Sequence, residues 1–340
     1  MNKLRKIGLS ALAGSLAAVS ANAGELSVSG SANLTFTNES YDTATATSTG
    51  NPFGTDSNLI FSGSGDVNGM TASFYAAIQA GGGSYASNQF SLDMGDMGTI
   101  TFDQGVGGNG ADAIDNVLPT AWEEADDGLA GAGNMGLTAF TGSSNVFKYT
   151  NTVAGFGVNA AYDTSINDTR TTEGATTAVA GTAAAPTGSN YSVALTNNTL
   201  VDGLDVGVGY GKNDIKDGTS TTTDQVSMTG YVKYTVGPAV IGYQQGESTG
   251  GAAGADAAHS NGYGIAFNVN ENLSLSYQTY EIDHLKTSGS VDRNTDFDAI
   301  GAAYTMGAAK VTLNSSEQSG NSTSATYNEE RTEIALSLNF

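Results

Sequence analysis

The chain has no cysteine, only four prolines in 340 residues, and few basic side chains. Without cysteine there is no disulfide framework to staple the fold. Lys and Arg number 12 against 34 Asp and Glu, a net charge of −22. That balance argues against a nucleic-acid partner, because meeting phosphates takes basic patches. It favours cationic or neutral partners. Past the N-terminal residues no stretch of ~18 apolar residues exists, so no helical membrane span is expected. The two histidines, His259 and His284, lack metal-ligand spacing. There is one tryptophan, Trp122.

Residues 1–23 have the pattern of a signal peptide. Lys3, Arg5 and Lys6 form a basic start, Ile7 to Val19 is a short apolar run, and Ala21-Asn22-Ala23 is an A-x-A cleavage site. The alternative, a membrane anchor, needs a longer apolar run. Cleavage leaves a mature chain 24–340 and removes three basic residues, lowering the net charge from −22 to −25.

What the chain has in abundance is alternation. From Glu25 to Phe36, Leu26, Val28, Ala32, Leu34 and Phe36 share one face, and Ser27, Ser29, Ser31, Asn33 and Thr35 share the other. A run of ~9–11 residues at period two is a tilted membrane-spanning strand. The pattern recurs near 57–67, 70–80, 87–94, 98–104, 145–152, 155–163, 189–197, 204–213, 223–236, 239–247, 259–269, 272–283, 295–305, 308–318 and 327–340. Short connections alternate with long ones throughout. An up-and-down membrane barrel with short turns on one side and longer loops on the other has this rhythm. The expected fold is all-β: a transmembrane antiparallel β-barrel of sixteen strands.

Side-chain parity supports this. Asp93, Lys148, Asp163, Asp205, Lys233, Lys310 and Glu333 all fall on the polar parity. A Lys or Arg at mid-depth on the lipid face costs roughly 2–4 kcal/mol. Glu281 and Asp298 fall on the other parity, but both flank the 284–294 loop. The inward face is expected to be polar throughout, which places water inside and implies a channel. Tyr149, Tyr162, Tyr210, Tyr234, Tyr243, Tyr304 and Phe340 near strand ends suit interfacial girdles.

One stretch, 105–144, fits neither strand nor amphipathic helix. It carries Asp112, Asp115, Trp122, Glu123, Glu124, Asp126 and Asp127 between glycine-rich ends. A charge cluster of this kind is either a solvated loop or a folded functional one.

Local motifs resemble the general trimeric porins of Gram-negative outer membranes. Met97-Gly98-Thr99-Ile100-Thr101-Phe102 is similar to the segment before that family's third loop. Asn145-Val146-Phe147-Lys148-Tyr149 is similar to the strand after it, and Gly155-Phe156 to the opening of the next. The ending Ile334-Ala-Leu336-Ser-Leu338-Asn-Phe340 is similar to the family's assembly signal, read by the barrel-insertion machinery at the terminal phenylalanine.

The resemblance implies that 105–144 folds inward as a third, constriction loop. It assigns Asp112, Asp115, Glu123, Glu124, Asp126 and Asp127 to the acidic side of the pore. The basic side departs from the family. Asn58 and Gln89 stand where arginines are expected, and Lys148 is the best remaining candidate, with Lys233, Lys310 and Arg331 elsewhere inward. The implied function is passive diffusion of small hydrophilic solutes and ions with a preference for cations, and no catalysis. A homotrimer in the outer membrane is implied, in contact with its lipids and lipopolysaccharide. The short connection 81–86 leaves open whether it latches a neighbour. A substrate-selective channel and a non-conducting adhesive barrel are the alternatives.

Other motifs carry less. Gly246-Glu-Ser248-Thr-Gly250, with Asp256 and His259 following, matches a nucleophile elbow, but that turn needs a helix after it. Gly207-Val-Gly209-Tyr-Gly211-Lys212 resembles a phosphate loop but alternates as a strand, with no helix N-terminus to hold phosphate. Asp126-Asp127-Gly128 offers carboxylates for calcium without EF-hand spacing. No cofactor is expected.

Overall fold

Alternation becomes sixteen strands in the computed structural model. It describes residues 26–41, 50–79, 85–129, 135, 137, 139–140, 142, 144–164, 187–216, 224–249, 257–285, 292–321 and 324–340. The signal-peptide reading of 1–23 lies outside these, as do Gly250 and Asp256.

In chain order the strands are β1 (Leu26–Tyr41), β2 (Phe53–Val67), β3 (Met70–Gln79), β4 (Tyr85–Asp93), β5 (Thr99–Gln104), β6 (Ser144–Val153), β7 (Phe156–Asp163) and β8 (Thr187–Asn197). They continue as β9 (Leu204–Lys216), β10 (Gln225–Val236), β11 (Ala239–Ser248), β12 (Ala257–Asn268), β13 (Leu273–Leu285), β14 (Arg293–Met306), β15 (Ala309–Ser319) and β16 (Asn328–Asn339). Each strand pairs antiparallel with the next, and β16 pairs with β1 to close the barrel. Closure leaves no edge strand, so backbone donors along the paired registers are met by neighbouring strands without water. At the seam the Phe340 N–H donates to Gly30 O at 2.9 Å and the Gly30 N–H to Phe340 O at 3.1 Å.

The short turns are tight. Asn68 (φ 55°) and Gly69 (φ 83°) are both left-handed, as are Ala154 (φ 53°) and Gly155 (φ 84°). Such turns match the twist of the hairpin strands they join.

Outward residues are apolar and exposed: Leu26, Val28, Leu34 and Phe36 on β1, and Leu275 and Tyr277 on β13. Outward aromatic pairs bridge neighbouring strands, among them Tyr243 and Tyr263 with ring centroids 5.0 Å apart. The apolar band is uneven in height. On β1 it runs from Leu26 to Phe36. On β13 it ends at Tyr277, after which Thr279, Glu281 and Asp283 share the outward face.

Two expectations need correction. The inward face is not polar throughout. Phe297, Ile282, Tyr280 and Ala299 point inward on β13 and β14, buried under loop residues Leu118, Leu129 and Leu137. Outward carboxylates also exceed the two expected. Asp296 joins Asp298 on the exposed face of β14, and Glu317 and Glu330 stand in register with Asp298 on β15 and β16. The Tyr277 hydroxyl donates to Asp298 Oδ1 at 2.6 Å, so the ring's polar end points toward this acidic tier. The departures have separate causes: the loop needs an apolar seat inside, and these strands rise beyond the apolar band outside.

The β11 motif at Ser248 is a strand residue, buried and hydrogen-bonded from the Ser227 hydroxyl at 3.0 Å. Gly207 to Lys212 is the body of β9.

Candidate functional site: the inner loop

The β5–β6 connection leaves the wall at a carboxylate nest. Asp103, fully buried, accepts the N–H of Val106 at 3.1 Å and of Gly107 at 2.9 Å, and the Asn109 side chain at 2.6 Å. A buried carboxylate with several donors is satisfied, so it fixes the turn inward rather than costing stability. A short 3-10 turn, Gly110–Ile114, follows.

From there the loop runs along the inner wall, held by inward polar side chains in succession. The Gly110 N–H donates to Asn159 Oδ1 on β7 at 2.9 Å, and the Ala111 N–H to Ser192 Oγ on β8 at 3.1 Å. Gln244 on β11 accepts the Val117 N–H at 2.8 Å. Ser276 and Gln278 on β13 accept the N–H groups of Ala121 and Ala125, at 2.9 and 2.8 Å. Asn314 on β15 donates to Glu124 O at 3.2 Å. Arg331 on β16 donates to Asp127 O at 3.0 Å. The loop then returns, with the Ala139 N–H on Ser227 Oγ of β10 at 3.0 Å. The anchors therefore span β7 to β16. Beneath the loop a cavity of about 940 Å³ is lined by Ile114, Val117, Asn159, Thr196, Tyr231 and Lys233.

Inward glycines bring the loop close. Gly242 and Gly264 are register partners on β11 and β12, and both sit under Pro119. A Cβ on Gly264 would lie 2.9 Å from Pro119 Cδ. The glycine richness of these strands is thus partly a clearance requirement.

The acidic residues fall along this path. Asp112 Oδ2 accepts the Gly108 N–H at 3.0 Å. Burial pushes the Asp112 carboxyl up, N–H donors from Gly108 and Asn109 pull it down, Asp103 pushes it up, and Lys148 on β6 pulls it down. Asp115 is pushed up to about 7, by burial first and then by Asp112. Glu123 is pushed up to about 8 by burial, then by Asp127 and Glu333, with Arg331 opposing. Its Oε2 is enclosed without a hydrogen-bond partner. Glu124 is raised by burial and by Asp126 and Asp127. Asp126 is buried, 7% exposed, and Asp127 is exposed.

The structure brings Lys148 into electrostatic reach of Asp112. Three other cations expected to face inward are differently placed. Lys233 pairs with Asp205 at 3.1 Å. Arg331 pairs with Glu39 at 3.3 Å and with Glu333. Lys310 lies at the start of β15, next to the turn that follows β14. Asn58 and Gln89 engage carboxylates, Asp56 at 3.2 Å and Asp103 at 3.4 Å. The anchors Gln244, Ser276, Gln278 and Asn314 were not singled out by sequence reading. For Gln244, Gln278 and Asn314 a signal was available as amides on an inward parity rich in Ser, Thr and Gly, whereas Ser276 has none. Among the described residues no three His, Asp or Glu side chains converge as metal ligands.

A family model described as Gram-negative porin matches residues 8–339. No curated protein sequence gives a significant match. Among solved structures, OmpF of Salmonella typhi, in complex with daunomycin, aligns with a TM-score of 0.67 at 11% identity, over 93% of this chain and 98% of that one. A loop-deletion mutant of OmpT, an outer membrane protein of Vibrio cholerae, aligns at 0.66 and 15% identity, over 94% of this chain and 100% of its own. The anion-selective porin from Comamonas acidovorans aligns at 0.65 and 16% identity, over 93% and 100%. At such identities these likenesses concern the fold.

Proposed function

The chain belongs to the Gram-negative porin family of outer-membrane barrels, and from that premise we propose a passive pore for small hydrophilic solutes that prefers cations. The observation that carries this reading is the charge balance at the inner loop. Asp112, Asp115, Glu123 and Glu124 lie half-buried along the wall, whereas Lys233 and Arg331 are already engaged by carboxylates. Lys148 is the cation set against Asp112. The passage runs between the loop and the wall opposite its anchors. A pore about one Debye length wide (~8 Å) leaves wall charges incompletely screened. Clustered carboxylates in such a pore favour cations. A shared fold does not decide the sign, since one similar structure is an anion-selective porin.

The same reading covers biogenesis. Residues 1–23 direct export and 24–340 form the barrel, with 105–144 as the constriction loop. Phe340, 79% exposed at the closing seam, is offered to the insertion machinery. The barrel is a homotrimer among outer-membrane lipids and lipopolysaccharide. In support of assembly, one solved OmpT structure is described as a trimer form.

The test is the zero-current potential of the purified protein in a planar bilayer under a KCl gradient at pH 9, above the values to which burial raises Asp115 and Glu123. A cation-selective potential supports both the pore and the acidic constriction. Anion preference keeps the pore and rejects the charge assignment. Verified insertion without current rejects the pore in favour of an adhesive or structural barrel.

A further inference from the structure

Arg331 was a natural candidate for a positive wall charge, but its surroundings describe another role. Its side chain is only 12% exposed. Nε faces Glu39 Oε1 on β1 at 3.3 Å, Nη2 bonds Glu333 Oε2, and Nη1 donates to Asp127 O at 3.0 Å. Every edge of the guanidinium is engaged. Two of the three partners are wall carboxylates from the first and last strands, and the third is loop backbone. The Thr37 hydroxyl also donates to Glu333 Oε2 at 3.3 Å, fixing that carboxylate from β1.

The loop residue beside it is shaped to fit. Gly128 has φ +74°, a left-handed conformation. A Cβ there would run into the Arg331 guanidinium itself. Apart from the Asp103 carboxylate at the start of the loop, the anchors described above are neutral amides and hydroxyls, and Arg331 is the cation among them. It grips the loop where β16 meets β1.

We propose that Arg331 is a positioning residue whose guanidinium pins the loop at Asp127–Gly128 to the closing seam of the barrel, rather than a charge presented to permeating ions. The proposal builds on the reading of this loop as the constriction. A planar fork is needed to hold three partners at once, and lysine, a point charge on a flexible stem, does not supply it.

The experiment uses the full chain, which has no cysteine of its own. Leu129→Cys introduces one thiol next to the clamp, at a site 4% exposed. Maleimide labelling of the folded protein reads release of the loop, and bilayer recording of the same samples reads the pore. With R331Q, R331K and Gly128→Ala we expect roughly tenfold faster labelling, the mark of a locally opened segment. Glu39→Gln, which keeps its shape and loses one charge, should fall between these and the parent. Unchanged labelling in R331Q overturns the clamp. So does a pattern in which R331K behaves as the parent while R331Q only shifts the zero-current potential, because a wall charge would behave that way. Faster labelling with unaltered current and selectivity keeps the clamp and rejects the constriction reading, so the two fail separately.

Discussion

Gln244 holds Val117 and its neighbours from both sides: Oε1 accepts the Val117 N–H at 2.8 Å, while Nε2 donates to Ile114 O at 2.9 Å. The same Nε2 reaches Asp115 O at 2.9 Å and Thr229 Oγ1 at 3.0 Å. One fully buried amide therefore sets the backbone that carries Asp115. Leaving a buried donor or acceptor without a partner costs ~1–3 kcal/mol each.

Gln244→Ala should accordingly loosen the loop without unfolding the barrel. The expected result is an unchanged β-sheet circular dichroism spectrum together with noisier single-channel current. Gln244→Glu should be worse than Ala, because it adds a carboxylate near Asp115 and removes the donor. Steady current in both variants would show that the loop holds its place without this amide.

The acidic loop should titrate close to neutrality. Asp115 is pushed up to about 7 and Glu123 to about 8, both mainly by burial. A carboxyl is neutral below its pKa, so acidification from pH 9 to pH 6 removes negative charge from the loop. Cation preference should fall across that window, rather than near pH 4 where exposed carboxylates titrate. Because the folded values are raised, the charged forms disfavour the packed loop, and packing is stronger on the acid side. Zero-current potentials measured at several pH values check the first point. The combined variant Asp112→Asn, Asp115→Asn, Glu123→Gln, Glu124→Gln should show weak cation preference and little pH dependence. Retained selectivity in that variant would remove these side chains from the pore.

Gly264 offers a steric test. Its missing side chain leaves room for Pro119, whose N and O would both stand 3.0 Å from a Cβ there. Backbone cannot give way as a flexible side chain can. Gly264→Val should push the 118–120 segment off the wall at a cost of ~1–3 kcal/mol. Conductance should change and the urea midpoint should fall. The corresponding change at Gly230, which points outward and where a Cβ would meet nothing closer than 3.8 Å, should leave both alone.

The barrel was legible because a lipid face and a water face alternate along most strands. It was less legible at strand ends. Strand β1 was expected to stop at Phe36 and β2 to begin at residue 57, yet they run to Tyr41 and from Phe53. Beyond the membrane both faces of a strand are polar, so the period-two signal fades while hydrogen bonding continues. The apolar seat at Ile282 and Phe297 was missed for a related reason. A parity rule built on lipid outside and water inside has no place for a wall that faces packed protein. The acidic stretch was visible as composition, but Arg331 looked like any inward cation. Its engagement with Glu39 and Glu333 joins residues from opposite ends of the chain, which no local pattern reveals.

The unequal height of the outward apolar band has a mechanical consequence for the bilayer. At about 3.4 Å per residue, Leu26 to Phe36 covers ~34 Å along β1, while Leu273 to Tyr277 covers ~14 Å along β13. Lipids beside β13 thus meet a shorter hydrophobic wall than lipids beside β1. Membranes answer such mismatch by thinning locally, at fractions of a kcal/mol per ångström. Spin labels at Thr279 and at Phe36 should report different depths despite lying on the same barrel. A difference between the two depths would mark a bilayer whose thickness varies from strand to strand around one barrel.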